Sequence, residues 1–388
     1  MNILTAVTVL SLTIWGYLLG FRGQFWRANQ RLEEDTTPLQ SAPSLCVIVP
    51  ARNEAELLPV TLRSLLTQDY PALSVVLVDD GSTDGTAQVA QEVANSLQSQ
   101  RLTVIAAKPL PPGWTGKLWA MHQGIDYAQQ SFSPNYFLLT DADIEHHSEN
   151  VLELVTKAET EDLDLVSLMV LLRCQSVWEK LLIPAFVFFF QKLYPFPLVN
   201  QPHSKIAAAA GGCILIRRQA LKSIGGIPAV RQALIDDCAL AQAVKSSPTR
   251  GKIWLGLTQS TRSLRPYPTL NTIWEMVART AFTQLHYSPL LLVGTLLGMT
   301  LVYLVPPIVL VWGIITGTGV IAVAGLIAWL LMAIAYTPTL RLYQISPLWA
   351  VSLPVIAFLY TLMTLDSARC HWQGQGGAWK GRVYSGKA

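Results

Sequence analysis

Uncharged apolar stretches occupy both ends of this chain. One runs from Ile3 to Gly20, and the C-terminal part contains three more, at about Leu290–Trp312, Gly319–Tyr336 and Leu348–Leu365. Because a membrane-spanning helix needs about 20 apolar residues, we expect an N-terminal anchor at residues 1–21 and two to three membrane helices within 289–366. A cleaved signal peptide is the alternative for the first stretch, but that stretch lacks a basic start and a nearby cleavage site of small residues.

Between the two membrane portions, short apolar runs alternate with polar turns, which is typical of a globular domain. Strands rich in β-branched residues are predicted at 44–50, 74–80 and 102–107, and the segments between them have helical patterns. This order indicates a parallel sheet with helices on both faces. We expect the α/β domain to cover residues 44–260 and a connection at the membrane interface to cover 261–288.

The second half of the predicted domain is less regular. Strands are expected at 163–172 and within 207–218, and a helix over 234–245 begins with two aspartates. The aromatic segment Leu181–Val199 contains three prolines, which makes it a poor membrane span. It is either an interfacial helix with one side in lipid or a core helix, and its pattern does not decide between them.

The composition supports a membrane protein. Of 388 residues, 51% are hydrophobic and only 14% are charged, and the mean hydropathy is +0.36, which is too apolar for an ordinary soluble protein. The five cysteines show no CxxC pairing. This pattern fits a reducing compartment and favours neither a disulfide framework nor a zinc site.

The placement of positive charge predicts the orientation. Arg22, Arg27 and Arg31 follow the first apolar stretch, so the positive-inside rule places the domain in the cytoplasm, on a multi-pass protein of the inner membrane. The tail over 367–388 is also basic, with Arg369, Lys380, Arg382 and Lys387. Three full crossings would put that tail outside, so one stretch is expected to be re-entrant or interfacial. Pro306-Pro307 makes the first C-terminal stretch the suspect.

Polar residues gather where predicted strands end. They are Arg52, Asn53 and Glu54 after the first strand, Asp79 and Asp80 after the second, and Asp141 and Asp143 after a fourth strand. Open α/β sheets bind ligands at this edge. Two carboxylates one residue apart could hold a divalent cation, or they could form a polar turn that caps the next helix.

Four motifs in order carry a resemblance. VIVPARNEAELLPVTLRSLLTQDYP, VLVDDGSTDGT, LLTDAD, and a Gly-Gly segment followed by LIDDCAL are similar to glycosyltransferase family 2, from about residue 46 to 245. GWTGKLWAMHQGI, RPYP and WKGR look like the membrane-bound hopanoid-associated members and, more loosely, the carotenoid-type ones. The resemblance implies a GT-A fold, a Rossmann-like nucleotide-diphospho-sugar transferase domain, with one N-terminal and two to three C-terminal membrane helices.

The resemblance also implies roles for individual residues. The nucleotide-sugar would be bound by Pro50, Arg52, Glu54, Asp79, Asp80, Lys117 and Asp141. Pro50, Arg52 and Glu54 would border the base, and one of Asp79 and Asp80 would accept a hydrogen bond from it, although a simple Asx turn is the alternative there.

Lys117 would lie near the diphosphate, and Asp143, with Asp141 contacting metal or ribose, would hold Mg²⁺ or Mn²⁺. This cation would neutralise the leaving group as a Lewis acid. A hard cation prefers oxygen, so His146 and His147 are interpreted as surface residues at a helix start.

The resemblance makes Asp237 the catalytic base. It would remove the proton from the acceptor hydroxyl as that oxygen attacks the anomeric carbon, and one displacement inverts the sugar configuration. The family usually has Glu-Asp where this chain has Asp236-Asp237. An acid at a helix N-terminus is also favoured simply by the helix dipole, and both interpretations can hold.

We therefore expect an inverting glycosyltransferase that moves a sugar from a nucleotide-sugar, with UDP as the expected nucleotide, to a membrane lipid such as a hopanoid or other polyisoprenoid. No nucleic acid partner is expected, and the oligomeric state is not indicated. One alternative is a processive polysaccharide synthase, but its Gln-x-x-Arg-Trp motif is missing, and Arg279–Ser288 is the nearest match. Another is a catalytically silent membrane scaffold, which would tolerate loss of the acids retained here.

Overall fold

The computed structural model describes residues 3–32 and 41–374, together with the backbone at 378–379 and 382–383. Of the predicted basic tail, Lys380, Lys387 and the side chain of Arg382 lie outside the described residues, as does most of the WKGR segment. A short hairpin is formed by Ala378–Trp379 and Arg382–Val383.

An eight-stranded sheet forms the centre of the middle domain. Its strands are β1 Leu45–Ala51, β2 Leu73–Asp79, β3 Leu102–Ala106, β4 Tyr136–Leu139, β5 Ile144–Glu145, β6 Leu165–Leu171, β7 Ile214–Arg217 and β8 Ile253–Ser263, in the spatial order β3-β2-β1-β4-β7-β6-β8-β5. The first four strands are parallel, as predicted. β7 is antiparallel to both β4 and β6, so the sheet is mixed, and the parallel arrangement predicted from the first strands does not extend to β7.

Helices cover the sheet and form the membrane portion. They are α1 Ile3–Gly20, α2 Leu58–Leu66, α3 Thr86–Ser96, α4 Gly116–Ser131, α5 Asn150–Thr160, α6 Val177–Leu193, α7 Phe196–Val199, α8 Arg218–Ser223, α9 Asp236–Lys245, α10 Leu270–Ala278, α11 Pro289–Met299, α12 Val305–Ile315, α13 Gly319–Leu342 and α14 Leu353–Trp372. The predicted alternation of strands and helices is thus confirmed from β1 to β4.

Both faces of the sheet are buried, which explains the continuous apolar strands. Every residue of β1 is buried. Ile48 lies on the face of β1 that packs in the core extending to the apolar helices. Val47 lies on the other face and belongs to a second core beneath α2, α3 and α5. Gly124 lets α4 lie close to the sheet, because a Cβ there would be 2.8 Å from side-chain atoms of both Ile48 and Val78.

Five helical segments among the described residues are long and apolar enough to cross a membrane, at Ile3–Gly20, Val177–Val199, Pro289–Ile315, Gly319–Leu342 and Pro347–Trp372. The first C-terminal segment stays helical through Pro306-Pro307, because a π-helical turn at Thr300–Leu304 precedes them and they lie at the start of α12. It pairs closely with α13, since a Cβ at Gly325 would be 2.8 Å from the Pro306 carbonyl oxygen. Pro306-Pro307 therefore does not interrupt this helical segment.

The third C-terminal segment begins and ends on the side of the domain, which is the geometry of a re-entrant segment. The α13 helix ends at the domain, where Gln259 Nε2 donates to the Leu342 carbonyl oxygen at 2.7 Å. The chain then turns back along α13, and Trp329 Nε1 donates to the Val351 carbonyl oxygen at 3.2 Å. Trp329 lies about 20 Å along α13 from Leu342 at the rise of an α-helix. From that depth α14 returns, and its Asp366 accepts a hydrogen bond from Trp274 of α10 at 2.8 Å, so both ends of this segment lie on the domain side.

The aromatic segment behaves as a core helix. The hydroxyl of Tyr360 donates to the Leu182 carbonyl oxygen at 2.9 Å, and Lys192 Nζ donates to the Tyr303 hydroxyl at 2.9 Å. Phe188 is fully buried. Helix α6 therefore joins the domain to the membrane helices, and of the two interpretations left open by its sequence the core helix agrees with these contacts.

This topology predicts which residues are accessible from each side of the membrane. In protein whose cysteines are replaced by serine, Gly317→Cys, between α12 and α13, should react with a membrane-impermeant maleimide only from the side opposite the domain. Gly374→Cys, after α14, should react only from the domain side. Reaction of both positions from the same side in oriented vesicles would contradict a re-entrant third segment.

Candidate active site

The carboxyl edge of the sheet brings predicted site residues together around Lys117. Thr115 caps α4, its hydroxyl accepting from the Leu118 backbone N–H at 3.4 Å, and this places Lys117 in the first turn. Its ammonium lies 2.9 Å from Asp141 Oδ1 and 3.3 Å from Asp236 Oδ2. Burial alone would lower the pKa of Lys117, but these carboxylates outweigh it and raise the pKa, so Lys117 is a cation at any physiological pH.

A second cation, Arg265, holds the other acids of this edge. Arg265 Nη2 lies 2.7 Å from both carboxylate oxygens of Glu54, and Nε lies 2.6 Å from Asp143 Oδ2. Both acids are buried. Burial, together with the charge of Asp141, raises the pKa of Asp143 although Arg265 opposes this. Burial disfavours the charged form of Arg265, but the carboxylates of Asp143 and Glu54 favour it more strongly. The pKa of Arg265 is therefore raised above its usual range.

Sequence reasoning did not place Arg265 in the site. It lies in the RPYP segment just beyond β8, and it entered the sequence analysis only through that segment's resemblance. The signal that could have found it is charge balance, because several acids predicted at one buried edge require cations.

The predicted base-binding residues lie on two neighbouring segments, one at the end of β1 and one at the end of β2. Arg52 Nη1 donates to the Asp80 carbonyl oxygen and lies 3.8 Å from Asp80 Oδ2. Asp79 Oδ1 accepts from the Ser82 backbone N–H at 3.1 Å and from its hydroxyl, as the Asx-turn alternative proposed. Asp80 is almost fully buried and Asp79 is half-buried. A role of either acid toward a nucleotide base stays a prediction.

Asp237 is held by backbone donors at the start of α9. Its Oδ2 accepts from the Gly211 N–H at 2.9 Å, and its Oδ1 accepts from the Cys238 N–H at 2.7 Å. Gly211 permits this approach, since a Cβ there would lie 3.3 Å from Lys117 Nζ and 3.5 Å from Asp237 Oδ2. Burial and the adjacent Asp236 raise the pKa of Asp237 to about 6, although Lys117 and the two N–H groups lower it.

A cavity of about 720 Å³ adjoins these charges. At one end it is lined by Pro50, Glu54, Lys117, Asp141, Asp143, Asp236 and Arg265. At the other end it is lined by residues of α10, including Trp274, Met276 and Glu275, and by Asp366 and Cys370 of α14. Its volume suits a small-molecule substrate, and it connects the sheet edge directly with a membrane helix.

The two predicted metal ligands are chemically suitable but already paired. Asp141 and Asp143 supply oxygen, and one or two carboxylates completed by substrate phosphates is a usual magnesium site. Among residues 3–32 and 41–374, no cluster of three or more His, Cys, Asp and Glu side chains has metal-binding geometry. A metal ion here would therefore need phosphate oxygens of a donor to complete its coordination.

The surface interpretation of His146 is wrong. It is buried, its Nε2 lies 2.9 Å from the Thr140 hydroxyl, and its Nδ1 lies 2.9 Å from Asn150 Nδ2. Burial, with a smaller effect of His147, lowers the pKa of His146 to about 3, so it is neutral and structural. His147 is partly buried, and its Nε2 lies 3.0 Å from Glu153 Oε2.

Comparison with known proteins agrees with this geometry. Residues 46–225 match the sequence model of the family described as "Glycosyl transferase family 2". The resemblance drawn from the motifs is therefore confirmed for these residues.

Individual relatives match only part of the chain. The 4,4'-diaponeurosporenoate glycosyltransferase of Staphylococcus haemolyticus is 31% identical over 157 residues, which are 40% of this chain and 38% of that protein. The undecaprenyl-phosphate 4-deoxy-4-formamido-L-arabinose transferase of Yersinia enterocolitica is 29% identical, over 34% of this chain and 39% of its own length. The chain thus spans well under half the length of these curated relatives.

One solved structure resembles nearly the whole chain. The mannosyltransferase PcManGT from Pyrobaculum calidifontis, in complex with GDP-Man and Mn²⁺, superposes with a TM-score of 0.53 at 18% identity. The match covers 95% of this chain and 98% of that one. This confirms a GT-A fold with an N-terminal helix and C-terminal apolar helices.

Proposed function

We propose that this protein is a membrane-bound inverting glycosyltransferase that transfers a sugar from a nucleotide-sugar to a lipid hydroxyl. The observation that carries the proposal is the single cavity that reaches from Lys117, Asp141 and Asp143 to α10 and α14. A polar donor and an apolar acceptor can meet in it without the acceptor leaving the membrane surface.

The donor would occupy the sheet-edge end of the cavity. Pro50, Arg52 and Glu54 would border the base, with Asp79 or Asp80 as acceptor, and UDP is the expected nucleotide. The PcManGT structure contains GDP-Man, so GDP-sugars belong in any donor screen. The diphosphate would lie near Lys117, whose charge offsets the charge of the leaving group.

Asp141 and Asp143 would hold Mg²⁺ or Mn²⁺ together with the diphosphate. When bound, this ion supplies Lewis-acid stabilisation of the departing phosphate oxygens. The residues of the chain contribute the rest: Lys117 keeps Asp141 in place from one side and Arg265 keeps Asp143 in place from the other.

Asp237 would act as general base. It takes the proton from the acceptor hydroxyl while that oxygen bonds to the anomeric carbon and the bond to the diphosphate breaks, which inverts the configuration. The raised pKa of Asp237, about 6, makes it a better proton acceptor than an ordinary aspartate while it stays ionised at neutral pH. The Gly211 and Cys238 N–H groups fix its orientation.

The acceptor would approach between α10 and α14. Relatives are named for a carotenoid acid and for undecaprenyl phosphate, and both names describe isoprenoid lipids. A hopanoid or another polyisoprenoid is the acceptor that we propose, on the cytoplasmic face of the inner membrane, where the basic residues after α1 would place the domain.

Two other functions remain to be distinguished by experiment. A processive synthase would need a path for polymer through the membrane helices, and it would make a product of increasing length. A silent scaffold would bind but not transfer, and it would have no need for Asp237 at a buried site beside Lys117.

Mass spectrometry of lipid extracts tests the proposal directly. Cells that express the wild type should contain a glycolipid whose level is at least about 100-fold lower in cells that express Asp237→Asn. This factor is the lower end of the range for loss of a general base. Asp162→Asn is the matched control, because this carboxylate is exposed on a distant turn. Equal glycolipid with Asp237→Asn would exclude Asp237 as base, and no lipid difference from cells without the protein would exclude the lipid acceptor.

The raised pKa of Asp237 predicts a pH dependence. Since the base must be ionised, the rate of transfer by purified protein should fall about tenfold for each pH unit below about 6 and level off above it. An Asp237→Glu variant that retains activity should shift this midpoint. A rate independent of pH between 5 and 7 would contradict the assignment.

The far wall of the cavity predicts a separate effect on the acceptor. Trp274→Ala removes an aromatic surface and its hydrogen bond to Asp366, so KM for the lipid should rise several-fold while the affinity for the donor is unchanged. Trp372→Ala, at an exposed position of α14, is the control. A change in donor affinity without a change in acceptor KM would place the acceptor elsewhere.

A further inference from the structure

Arg265 links two acids of the site that come from distant parts of the chain. It reaches from the segment after β8 to Glu54, after β1, and Asp143, after β4, which lie 211 and 122 residues away in sequence. Its guanidinium contacts Glu54 at 2.7 Å and Asp143 at 2.6 Å. Ion pairs this short at a largely buried site orient all three side chains.

These contacts occupy the carboxylate that a metal ion would use. A magnesium ion binds carboxylate oxygen at about 2.0–2.1 Å, and Asp143 Oδ2 already has Arg265 Nε at 2.6 Å. A divalent ion and the guanidinium at this one oxygen would repel each other over a few ångströms. Asp141 cannot replace Asp143 as a metal ligand without weakening its own ion pair, because its Oδ1 contacts Lys117.

Glu54 is a second carboxylate to which Arg265 can remain bound when it leaves Asp143. Because Nη2 alone contacts both oxygens of Glu54, Arg265 can move Nε away from Asp143 while that contact remains. The cavity adjoins Arg265, Asp143 and Asp141, so space for the displaced group and for an incoming phosphate lies on the same side.

We propose that Arg265 is an internal cation that occupies Asp143 until a divalent metal ion binds, so that metal binding requires Arg265 to release this carboxylate. The inference rests on the proposed function in taking the ion to be the one that accompanies the donor. Arg265 is thereby a positioning residue. It offsets the negative charge of the site when no metal is present, and it weakens metal binding in the absence of donor.

The test measures Mn²⁺ binding to purified protein by the electron paramagnetic resonance signal of free Mn²⁺, with no nucleotide-sugar and no lipid present. Arg265→Met should bind Mn²⁺ at least about tenfold more tightly than the wild type. Arg262→Met is the matched control: it removes an equal charge nearby on β8, from an exposed pair with Glu145, and should change the affinity much less. Asp143→Asn in the Arg265→Met background should abolish the gain.

Arg265→Lys provides a second variant should Arg265→Met fail to fold, because it keeps the charge but lacks the planar guanidinium that contacts both acids. It should also bind Mn²⁺ more tightly than the wild type. Equal or weaker binding by a folded Arg265 variant, an equal gain with Arg262→Met, or a gain that survives Asp143→Asn would each overturn the proposal. Because the assay involves no transfer, failure of the glycosyltransferase proposal would appear separately, in the lipid extracts.

Discussion

The structure depends on the neutralisation of acids crowded at one buried edge of the sheet. Five carboxylates meet there, those of Glu54, Asp141, Asp143, Asp236 and Asp237. Lys117 and Arg265 compensate them, and each cation joins elements that are distant in sequence. Opposite charges about 3 Å apart attract strongly where water is scarce, whereas the same acids without cations would repel one another. The position of α4 against β4 and α9 therefore follows from electrostatics as much as from packing.

The sequence predicts well those parts of the fold that are set by local pattern. β1 to β4 were predicted because their apolar runs are short, β-branched and followed by polar turns, and the acids at their ends are those around Lys117. β8 and the direction of β7 were not predicted, because strand order is decided by contacts between distant segments. Arg265 and the burial of His146 were not predicted for the same reason, since Arg265 contacts Asp143 across a sequence separation of 122 residues.

Hydropathy shows which segments are apolar, but it does not show how far each segment extends into a membrane. All three C-terminal stretches have the length of a crossing, and Pro306-Pro307 suggested that the first was broken. The helix tolerates these prolines because the π-helical turn and the first turn of α12 need fewer backbone donors there. The third stretch returns to the domain, where Asp366 accepts a hydrogen bond from Trp274, and this tertiary contact is invisible in the local sequence.

Re-entry of the third segment and the chemistry of the site are connected. A segment that crossed fully would carry the polar end of α14 away from the domain, whereas re-entry brings Asp366 and Cys370 to the wall of the cavity. The cavity is then lined by apolar helices on one side and by the sheet edge on the other. Burial at this edge raises the pKa of Asp237, because loss of water contacts disfavours its charged form. The raised pKa at the start of α9 and the polar far wall of the cavity thus both follow from packing, the first from burial of Asp237 and the second from the return of α14 to the domain.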